Sequence, residues 1–420
     1  MKNQTKVTII DRPCGYGKTR AMLRNLKPER QYLLIAPDLE QLSEYIKHSV
    51  VPLTEPQTWP ETEHRRKRDH LKELLEEGHS VVTTHAMYTD IAYLAQAGLL
   101  MRYDVICDEV LEVAEVATGE VTKTAGQRSS GVTMQSWKKL YLGNGYAVID
   151  PETSLVIPTE KWEQSQDVRE LSTNLYNMAS VQTLYAVGDN ILVNELPPVL
   201  LKAVGSLTIY TFMAEGSLMA AFLRRCGINY THDVDQTANE KFREDAKRLI
   251  TIEAMPKLRS ILFSHTAQGR LTKTQASVVA KVLKQLREGK LKGADLTKVL
   301  VTSAKSKWFN DREGTKPGPF SSGSRMFDAT NWVGNTTRGT NQYRDCTHLI
   351  YLWCQHLNPT IAQFLNVGDA AHRDMYSLSE LLQWVYRSQI RDGKPITLYL
   401  PSNRMRSILQ RWLDGDLELY

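Results

Sequence analysis

Residues 8–19 read Thr-Ile-Ile-Asp-Arg-Pro-Cys-Gly-Tyr-Gly-Lys-Thr, and the prediction of the fold starts from them. A β-branched run is followed by a glycine-punctuated turn and then by helix formers, which predicts a strand, a tight loop and a helix that begins near Lys18. Glycines let a backbone close on an anion, and the N-terminus of a helix favours negative charge. The stretch therefore predicts a phosphate-binding loop, in which Lys18 reaches the phosphates of a nucleotide and Thr19 offers its hydroxyl to Mg²⁺.

The residues expected to contact the nucleotide are Gly15, Tyr16, Gly17, Lys18 and Thr19. The full pattern G-x-x-x-x-G-K-[ST] is not met, because Arg12 stands at its first glycine position. A chance turn that binds nothing is the alternative interpretation. The position of the stretch between a strand and a helix favours nucleotide binding, because that context is the one in which such motifs function.

Composition narrows the class of protein. The 420 residues carry a net charge of +5, from 52 Lys and Arg against 47 Asp and Glu, which permits a polyanionic partner without requiring one. The five cysteines lie far apart and show no C-x-x-C spacing, so neither a disulfide framework nor a zinc site is expected. The sequence contains neither a signal-peptide apolar region nor 18 consecutive apolar residues, and it predicts a soluble cytoplasmic protein without a membrane partner.

Apolar strands alternate with helical segments through the first hundred residues and again after residue 248, which is typical of parallel sheets covered on both faces. Strands are predicted at residues 7–10, 31–37, 80–84, 103–108 and 207–212. Residues 112–205 interrupt the first series and contain a β-rich part, followed by helical periodicity across residues 162–184, and the polar segment 227–239 is expected to be a linker.

In the second series, residues 273–288 are expected to form an amphipathic helix, and residues 305–334, rich in Gly, Pro, Ser and Asn, a long surface loop. The basic cluster at residues 64–68 is expected to be the solvated face of a helix, with a nucleic-acid patch as the alternative. The predicted fold is α/β, with one parallel-sheet domain at 1–230 that carries the insertion and a second at 240–420.

An Asp-Glu pair follows an apolar strand about 90 residues after Lys18. In an open parallel sheet, ligands bind outside the carboxyl ends of the strands, so this strand end and the phosphate loop should face each other. We expect Asp108 to hold Mg²⁺ and Glu109 to orient and deprotonate the water that attacks the γ-phosphate. The alternative is that the two acids only begin a helix, where they favour its dipole.

A helix is predicted over residues 378–391, with a capping box at its start and Asp392-Gly393 after its end. Gln383, Arg387 and Arg391 recur every fourth residue and would share one broad face. An amide and two guanidinium groups on one face suit a triphosphate. A solvated face with neighbouring acids as ion-pair partners is the alternative.

Together these blocks resemble the superfamily 2 helicases and translocases, in particular the DEAD-like proteins of phages and mobile elements. Gly15 to Thr19 resembles motif I, Asp108-Glu109 resembles motif II, and residues 383–391 resemble motif VI. Three further blocks are similar to motifs Ia, Ib and III: Ile35-Ala36-Pro37, Thr83-Thr84-His85 and Thr208-Ile209-Tyr210-Thr211. Thr337-Arg338-Gly339-Thr340-Asn341 resembles motif V.

The resemblance implies two RecA-like domains with ATP and Mg²⁺ in the cleft between them. It assigns nucleic-acid contacts to Pro37, Thr84, Arg338 and Asn341, nucleotide contact to Gly339, and the sensor and finger roles to Gln383 and Arg387. Tyr386 replaces the family's glycine and Arg391 comes one residue late, so Arg387 is the better finger candidate.

The function expected from this resemblance is ATP-driven movement on nucleic acid, or its remodelling, in phage or mobile-element DNA replication or recombination. Single-stranded DNA is the preferred substrate, RNA is the alternative, and the host cytoplasm is the location if a phage encodes the protein. The 112–205 insertion is the expected docking site of any protein partner. Two alternatives remain: a DNA-packaging motor with a C-terminal nuclease, which would need a cluster of metal-binding carboxylates after residue 240 that the basic helix at 377–391 does not offer, and a nucleotide-gated binding protein that hydrolyses ATP negligibly.

Overall fold

The computed structural model describes residues 5–37, 39–109, 114–116, 137–165, 171–188, 190–194, 197–337 and 342–417. The chain divides into two compact units. The first comprises residues 1–11, 17–234 and 358–368, and the second comprises residues 12–16, 235–357 and 369–420. The loop residues Arg12–Tyr16 therefore cluster with the second unit, and a short later segment clusters with the first.

The first half of the chain contains eleven strands and six helices of seven or more residues within the described ranges. The strands are β1 (Lys6–Asp11), β2 (Gln31–Ala36), β3 (Val81–Thr84), β4 (Tyr103–Asp108), β5 (Ala114–Val116), β6 (Ala147–Ile149), β7 (Val156–Pro158), β8 (Leu184–Val187), β9 (Asn190–Asn194), β10 (Ser206–Thr211) and β11 (Tyr230–Val234). The helices are α1 (Lys18–Arg24), α2 (Glu40–His48), α3 (Lys67–Glu77), α4 (Tyr88–Gln96), α5 (Thr173–Ser180) and α6 (Leu218–Arg225).

Six of these strands form the parallel sheet of the first unit, in the order β11-β1-β10-β4-β2-β3. The strands β2, β3 and β4 are almost entirely buried, as expected for a sheet covered on both faces. This order places β10 between the strand that leads into the phosphate loop and the strand that ends in Asp108. The predicted strand positions of the first domain are confirmed to within two residues.

The insertion has its own small sheets and core. One sheet is antiparallel in the order β5-β9-β8, and β6 and β7 form a separate antiparallel pair. A local cluster of buried aromatic residues, Trp137, Tyr141 and Trp162, packs beside them. The predicted β content of the insertion is confirmed, whereas, within the helical pattern expected across residues 162–184, the described residues form a turn at Glu160–Glu163 and α5. Residues 166–170 lie outside the described residues.

The second half contains five strands and five helices of seven or more residues within the described ranges. The strands are β12 (Ile250–Ala254), β13 (Val299–Thr302), β14 (Asn331–Trp332), β15 (His348–Tyr351) and β16 (Ile396–Leu400). The helices are α7 (Gln236–Leu249), α8 (Lys273–Glu288), α9 (Pro359–Leu365), α10 (Ala370–Val385) and α11 (Asn403–Asp414). All five strands are parallel, in the order β12-β16-β15-β13-β14, and α9 belongs to the first unit.

Three local predictions in the second half are wrong. The segment 227–239 is not a linker, because it contains β11 and the start of α7, which Asp235 caps by accepting a hydrogen bond from Ala238 N. The expected surface loop at 305–334 contains two helical turns and β14, and it buries Trp308 and Phe320 in the core. The helix expected over 378–391 begins and ends earlier, as α10.

The early end of α10 has a tertiary cause. The Ser388 hydroxyl donates to the carbonyl oxygen of Val385 at 2.7 Å, and Gln389 N donates to the carbonyl oxygen of Cys346 at 3.2 Å. These bonds replace helical ones, so the chain leaves the helix after Val385 and forms a separate turn at Gln389–Asp392. The three polar residues predicted to share one helical face therefore do not lie on one helix.

Candidate active site

The phosphate loop connects β1 to α1, as predicted. Gly15 and Gly17 have φ angles of 82° and 70°, in the left-handed region that glycine adopts without strain. Around Gly17, no atom of the described residues lies within 4 Å of the position that a Cβ would take, so the space before Lys18 is open. Tyr16 is exposed, and its ring meets Phe242 edge-on at 6.4 Å between centroids.

Two hydroxyl groups converge on one oxygen of Asp108. Thr19 Oγ1 donates to Asp108 Oδ2 at 2.7 Å, and the hydroxyl of Tyr45 donates to the same atom. Asp108 is buried at the end of β4, with 3% of its surface exposed. A threonine hydroxyl beside a carboxylate is a set of hard oxygen ligands that fits Mg²⁺. The pair predicted for the metal is thus adjacent, and Tyr45 is a third member that sequence reasoning missed.

The electrostatics of this carboxylate also fit a cation. Burial, followed by the charge of Glu109, raises the pKa of Asp108 above its ordinary value, although its hydrogen bonds and Lys18 act in the opposite direction. Burial and the Asp108 charge raise the pKa of Tyr45 well above its usual value, so Tyr45 remains a donor. A buried carboxylate is costly to ionise unless a cation or donors compensate it, and a divalent ion would supply that compensation.

Glu109 begins the loop after β4 in an unusual conformation. Its φ angle is 58°, which is uncommon for a residue with a Cβ, and its backbone N–H donates to the carbonyl oxygen of Tyr210 at 2.9 Å. Non-glycine residues in the left-handed region are strained and persist only where the surrounding structure holds them, and they are found most often at functional sites. The bond to β10 is what holds Glu109 in this conformation next to Asp108.

Lys18 and the end of β10 are also joined. Lys18 Nζ donates to the carbonyl oxygen of Thr211 at 3.3 Å. The buried carboxylate of Asp11 accepts hydrogen bonds from Met213 N at 2.9 Å and from Ala214 N at 2.6 Å, and so fixes the turn that follows β10. The strand end that resembled motif III therefore contacts the predicted phosphate-binding lysine.

A second layer of polar groups supports that turn. His232 Nε2 lies 3.3 Å from Asp11 Oδ2, and its Nδ1 lies 3.6 Å from Glu215 Oε1. Tyr230 donates to Glu215 at 3.2 Å. Asp11 and His232 were not predicted, because they are 221 residues apart and only the pairing of β1 with β11 brings them together.

The expected nucleic-acid residues of the first unit lie at the carboxyl ends of neighbouring strands. Pro37 directly follows β2, and Thr84 ends β3, where it is buried and pairs in register with Ala36. The next residue, His85, stacks on Tyr88 with ring centroids 5.0 Å apart. Both of its ring nitrogens are buried without a hydrogen-bond partner among the described residues, and burial lowers the pKa of His85 to about 4.

In the second unit, the three residues resembling motif VI have different surroundings. Gln383 lies in the last turn of α10 and donates to Ser379 Oγ at 3.0 Å. Arg387 is buried, with 5% of its surface exposed, and donates to the carbonyl oxygen of Thr337. Arg391 is exposed in the turn after α10, and its Cγ lies 3.3 Å from where a Cβ on Gly15 would be. Arg338, Gly339 and Asn341 lie outside the described residues.

Comparison with known proteins supports the fold. Residues 244–413 match the model of the family described as the YonV C-terminal Rossmann-like domain. Over 427 residues the chain is 24% identical to the SPβ prophage-derived uncharacterized protein YonV of Bacillus subtilis (strain 168), which covers 98% of this chain and 99% of that protein. This relative fits the expected phage type.

Solved structures with a similar fold include XPD_APO, with a TM-score of 0.53 and 10% identity over 99% of this chain and 96% of that one. Xpd4 of S. tokodaii aligns with a TM-score of 0.48 and 10% identity, over 99% of this chain and 95% of that one.

Within the described residues, no helix combines the length and the apolar character needed to cross a membrane. The chain has an α/β fold with two parallel sheets and is similar in fold to XPD_APO, which confirms the predicted fold class of two RecA-like parallel-sheet domains.

Proposed function

We propose that the protein is an ATPase that couples hydrolysis of Mg²⁺-ATP to movement along, or remodelling of, nucleic acid. The observation that carries this proposal is the convergence of Thr19 and Tyr45 on the buried Asp108, beside the open loop that precedes Lys18. These groups come from three separate elements of the first unit and present the oxygen ligands and the cation that a nucleoside triphosphate requires.

Lys18 has the central role in binding. Its ammonium group donates to the carbonyl oxygen of Thr211. We propose that it exchanges this acceptor for the β- and γ-phosphates, where it would neutralise charge, while Gly15, Tyr16 and Gly17 surround the phosphates. Thr19 and Asp108 would hold Mg²⁺, which would supply positive charge next to the phosphates. Because Lys18 would leave the Thr211 carbonyl oxygen, nucleotide binding would change the contacts of the turn that Asp11 holds through Met213 and Ala214.

Glu109 is the proposed base. A carboxylate next to the metal ligand can orient a water molecule and accept its proton as that water attacks the γ-phosphate. The left-handed backbone at Glu109, together with its bond to Tyr210, sets the direction in which the chain leaves β4.

An arginine is proposed to stabilise the negative charge that develops on the phosphates during hydrolysis. Arg391 is the better finger, because it is exposed and its stem lies beside Gly15. Arg387 would instead hold the backbone at Thr337, with Gln383 as a sensor of the nucleotide and Gly339 as a further nucleotide contact. This reverses the roles that the family resemblance suggested for the two arginines.

Nucleic acid is the proposed second substrate, contacted through Pro37, Thr84, Arg338 and Asn341. Single-stranded DNA is our first candidate, with RNA as the alternative, and replication or recombination of phage DNA is the proposed setting. The insertion at 112–205 would recruit any protein partner.

The test is steady-state ATP hydrolysis with no polymer, with single-stranded DNA and with RNA. Lys18→Ala should abolish turnover, by about 100-fold or more, while Lys27→Ala, an exposed lysine nearby, serves as the matched control. Stimulation by one polymer that disappears in Lys18→Ala supports a nucleic-acid-dependent motor. Absence of stimulation by either polymer contradicts it.

A second variant separates the motor from a nucleotide-gated switch. Glu109→Gln should bind ATP but lose turnover, with Glu29→Gln as the exposed control. If the wild-type rate is already low and Glu109→Gln does not change it, the protein uses ATP as a conformational switch instead.

A further inference from the structure

The positive charge of the chain is concentrated in one segment of the second unit. Residues 255–298 contain ten of the 52 Lys and Arg residues but only two of the 47 Asp and Glu residues, Glu288 and Asp295. The rest of the chain then has 42 basic and 45 acidic residues, so outside this segment the chain is slightly acidic. The excess charge is therefore a local property of α8 and the turns on either side of it.

Six cations of this segment define what we call the α8 basic face. They are Lys257, Arg270, Lys273, Lys281, Lys284 and Lys292, all exposed except the half-buried Lys284. Lys273, Lys281 and Lys284 fall within about 80° of one another around the helix, at 3.6 residues per turn. Lys257 joins them because its Nζ donates to Gln285 Oε1 at 2.7 Å. Since α8 has 16 residues, the face extends for about 24 Å.

The opposite side of α8 is fully used for packing. Ala276, Val279 and Leu283 belong to the core cluster that also contains Val299 and Ile350 of the second sheet. The helix thus covers one face of that sheet, and its basic face points away from the core. Packing does not explain the choice of lysine there, because exposed positions accept most polar residues.

Five of these six cations have no acidic partner among the residues that the structure describes. Only Lys284 of the six forms an ion pair within the described part of the chain, with Glu288 at 3.9 Å. The basic cluster at residues 64–68 behaves differently, since Arg66, Lys67 and Arg68 pair with Asp69, Glu55 and Asp90. That cluster is a solvated, neutralised surface, as its sequence favoured, whereas the α8 basic face retains its charge.

Lys273 lies where a basic residue destabilises the helix. It is the first residue of α8, where the helix dipole favours acids, and no acid occupies that first turn. Residues that break a local preference of this kind, with no contact to compensate, are found where function requires them. Here that requirement is a negatively charged partner.

We propose that the α8 basic face binds the sugar–phosphate backbone of a nucleic acid, as a contact surface separate from the strand ends that carry the proposed active site. A row of cations, five of the six without an ion pair among the described residues, matches the regular charge of such a backbone and would bind it without reading its bases. Exposed lysines are strongly hydrated and flexible, which suits a moving polyanion better than a fixed protein surface. The surface itself needs no ATP hydrolysis.

The test is binding of labelled single-stranded and duplex DNA, and of RNA, without nucleotide and over a range of salt concentrations. The variant Lys273→Glu/Lys281→Glu/Lys292→Glu should weaken binding by about 10-fold or more and reduce the slope of log affinity against log salt by about 2 to 3. Lys47→Glu/Lys139→Glu/Lys202→Glu is the matched control, because it changes the net charge equally at exposed positions of the first unit. The same three α8 positions changed to Gln provide a milder variant should charge reversal impair folding.

ATP turnover without polymer, measured on the same preparations, separates this inference from the proposed function. The rate of ATP turnover should be the same in wild type and in the α8 variants. A wild-type protein that hydrolyses no ATP would contradict the proposed ATPase but would leave the nucleic-acid binding result as it stands. Unaltered affinity and salt slope in the α8 variants would overturn the α8 proposal. So would a wild-type protein that binds polyglutamate but no nucleic acid, a result that identifies an acidic protein as the partner.

Discussion

The hydroxyl of Tyr45 donates a hydrogen bond to Asp108 Oδ2, 63 residues further along the chain. Tyr45 is in the middle of α2, is almost completely buried, and has no place in the motifs that suggested the site. Its bond, together with that from Thr19 and the charge of Lys18, partly compensates the burial of the Asp108 carboxylate. These contacts fix one oxygen of the carboxylate at the end of β4, where we propose that it binds Mg²⁺.

Asp108→Asn should separate stability from activity. Because the folded-state pKa of Asp108 is raised, its ionised form lowers stability at neutral pH, and this penalty disappears as the pH falls below the folded-state pKa. The amide removes the charge, so we expect the free energy of unfolding at pH 7 to rise by about 1 kcal/mol while Mg²⁺-dependent ATP turnover is lost. Denaturant titration and ATPase assays check this. A variant that is both less stable and active would contradict the assigned role.

Asp11→Ala should destabilise the first unit. The change leaves the buried N–H groups of Met213 and Ala214 without their acceptor, and each such loss costs about 1–3 kcal/mol. Asp11→Asn should cost less, because the amide keeps one acceptor oxygen. Chemical denaturation of both variants tests the order, with Asp233→Asn on the exposed side of β11 as the control. Equal stability of Asp11→Ala and wild type would show that the turn finds other acceptors.

His85 should make the protein sensitive to acid. Its pKa is lowered from 6.5 to about 4, with burial as the main cause and the nearby Glu109 charge acting in the opposite direction. The unfolded chain therefore binds this proton more readily, and stability falls as the pH drops from about 6.5 towards 4, by at most about 3 kcal/mol. His85→Phe should flatten this part of the stability curve, whereas His79→Gln, at an exposed position, should not. Parallel curves for wild type and His85→Phe would refute the prediction.

The two arginines should respond in opposite ways. Arg387→Ala removes a buried, charge-assisted bond to Thr337, so we expect it to lower the free energy of unfolding by about 2 kcal/mol. Arg391→Ala removes an exposed side chain and should leave stability unchanged while reducing kcat, on the order of 1000-fold if it is the finger. Thermal melts and single-turnover ATP hydrolysis distinguish the two effects. A catalytic loss confined to Arg387→Ala would restore the assignment that the resemblance favoured.

Much of the fold could be predicted because it depends on local pattern. Buried parallel strands such as β2 and β4 are continuous apolar runs, and the capped helix α8 was predicted to the residue. The helix at 378–391 failed because its end is decided by Ser388 and Gln389, which bond to groups that periodicity does not include. The buried Trp308 lay in a stretch rich in glycine and proline, where composition indicates a surface loop.

Local sequence was enough to predict the strand, glycine loop and helix around Lys18 and the acids at the end of β4, because backbone preferences and strand burial act over a few neighbouring residues. The contacts that Tyr45 and Thr19 make with one oxygen of Asp108, that Asp11 makes with His232 and that Arg387 makes with Thr337 follow from the tertiary fold. Those relationships join residues tens to hundreds of positions apart. They depend on strand order and on where packing ends a helix, and neither is encoded in a local pattern.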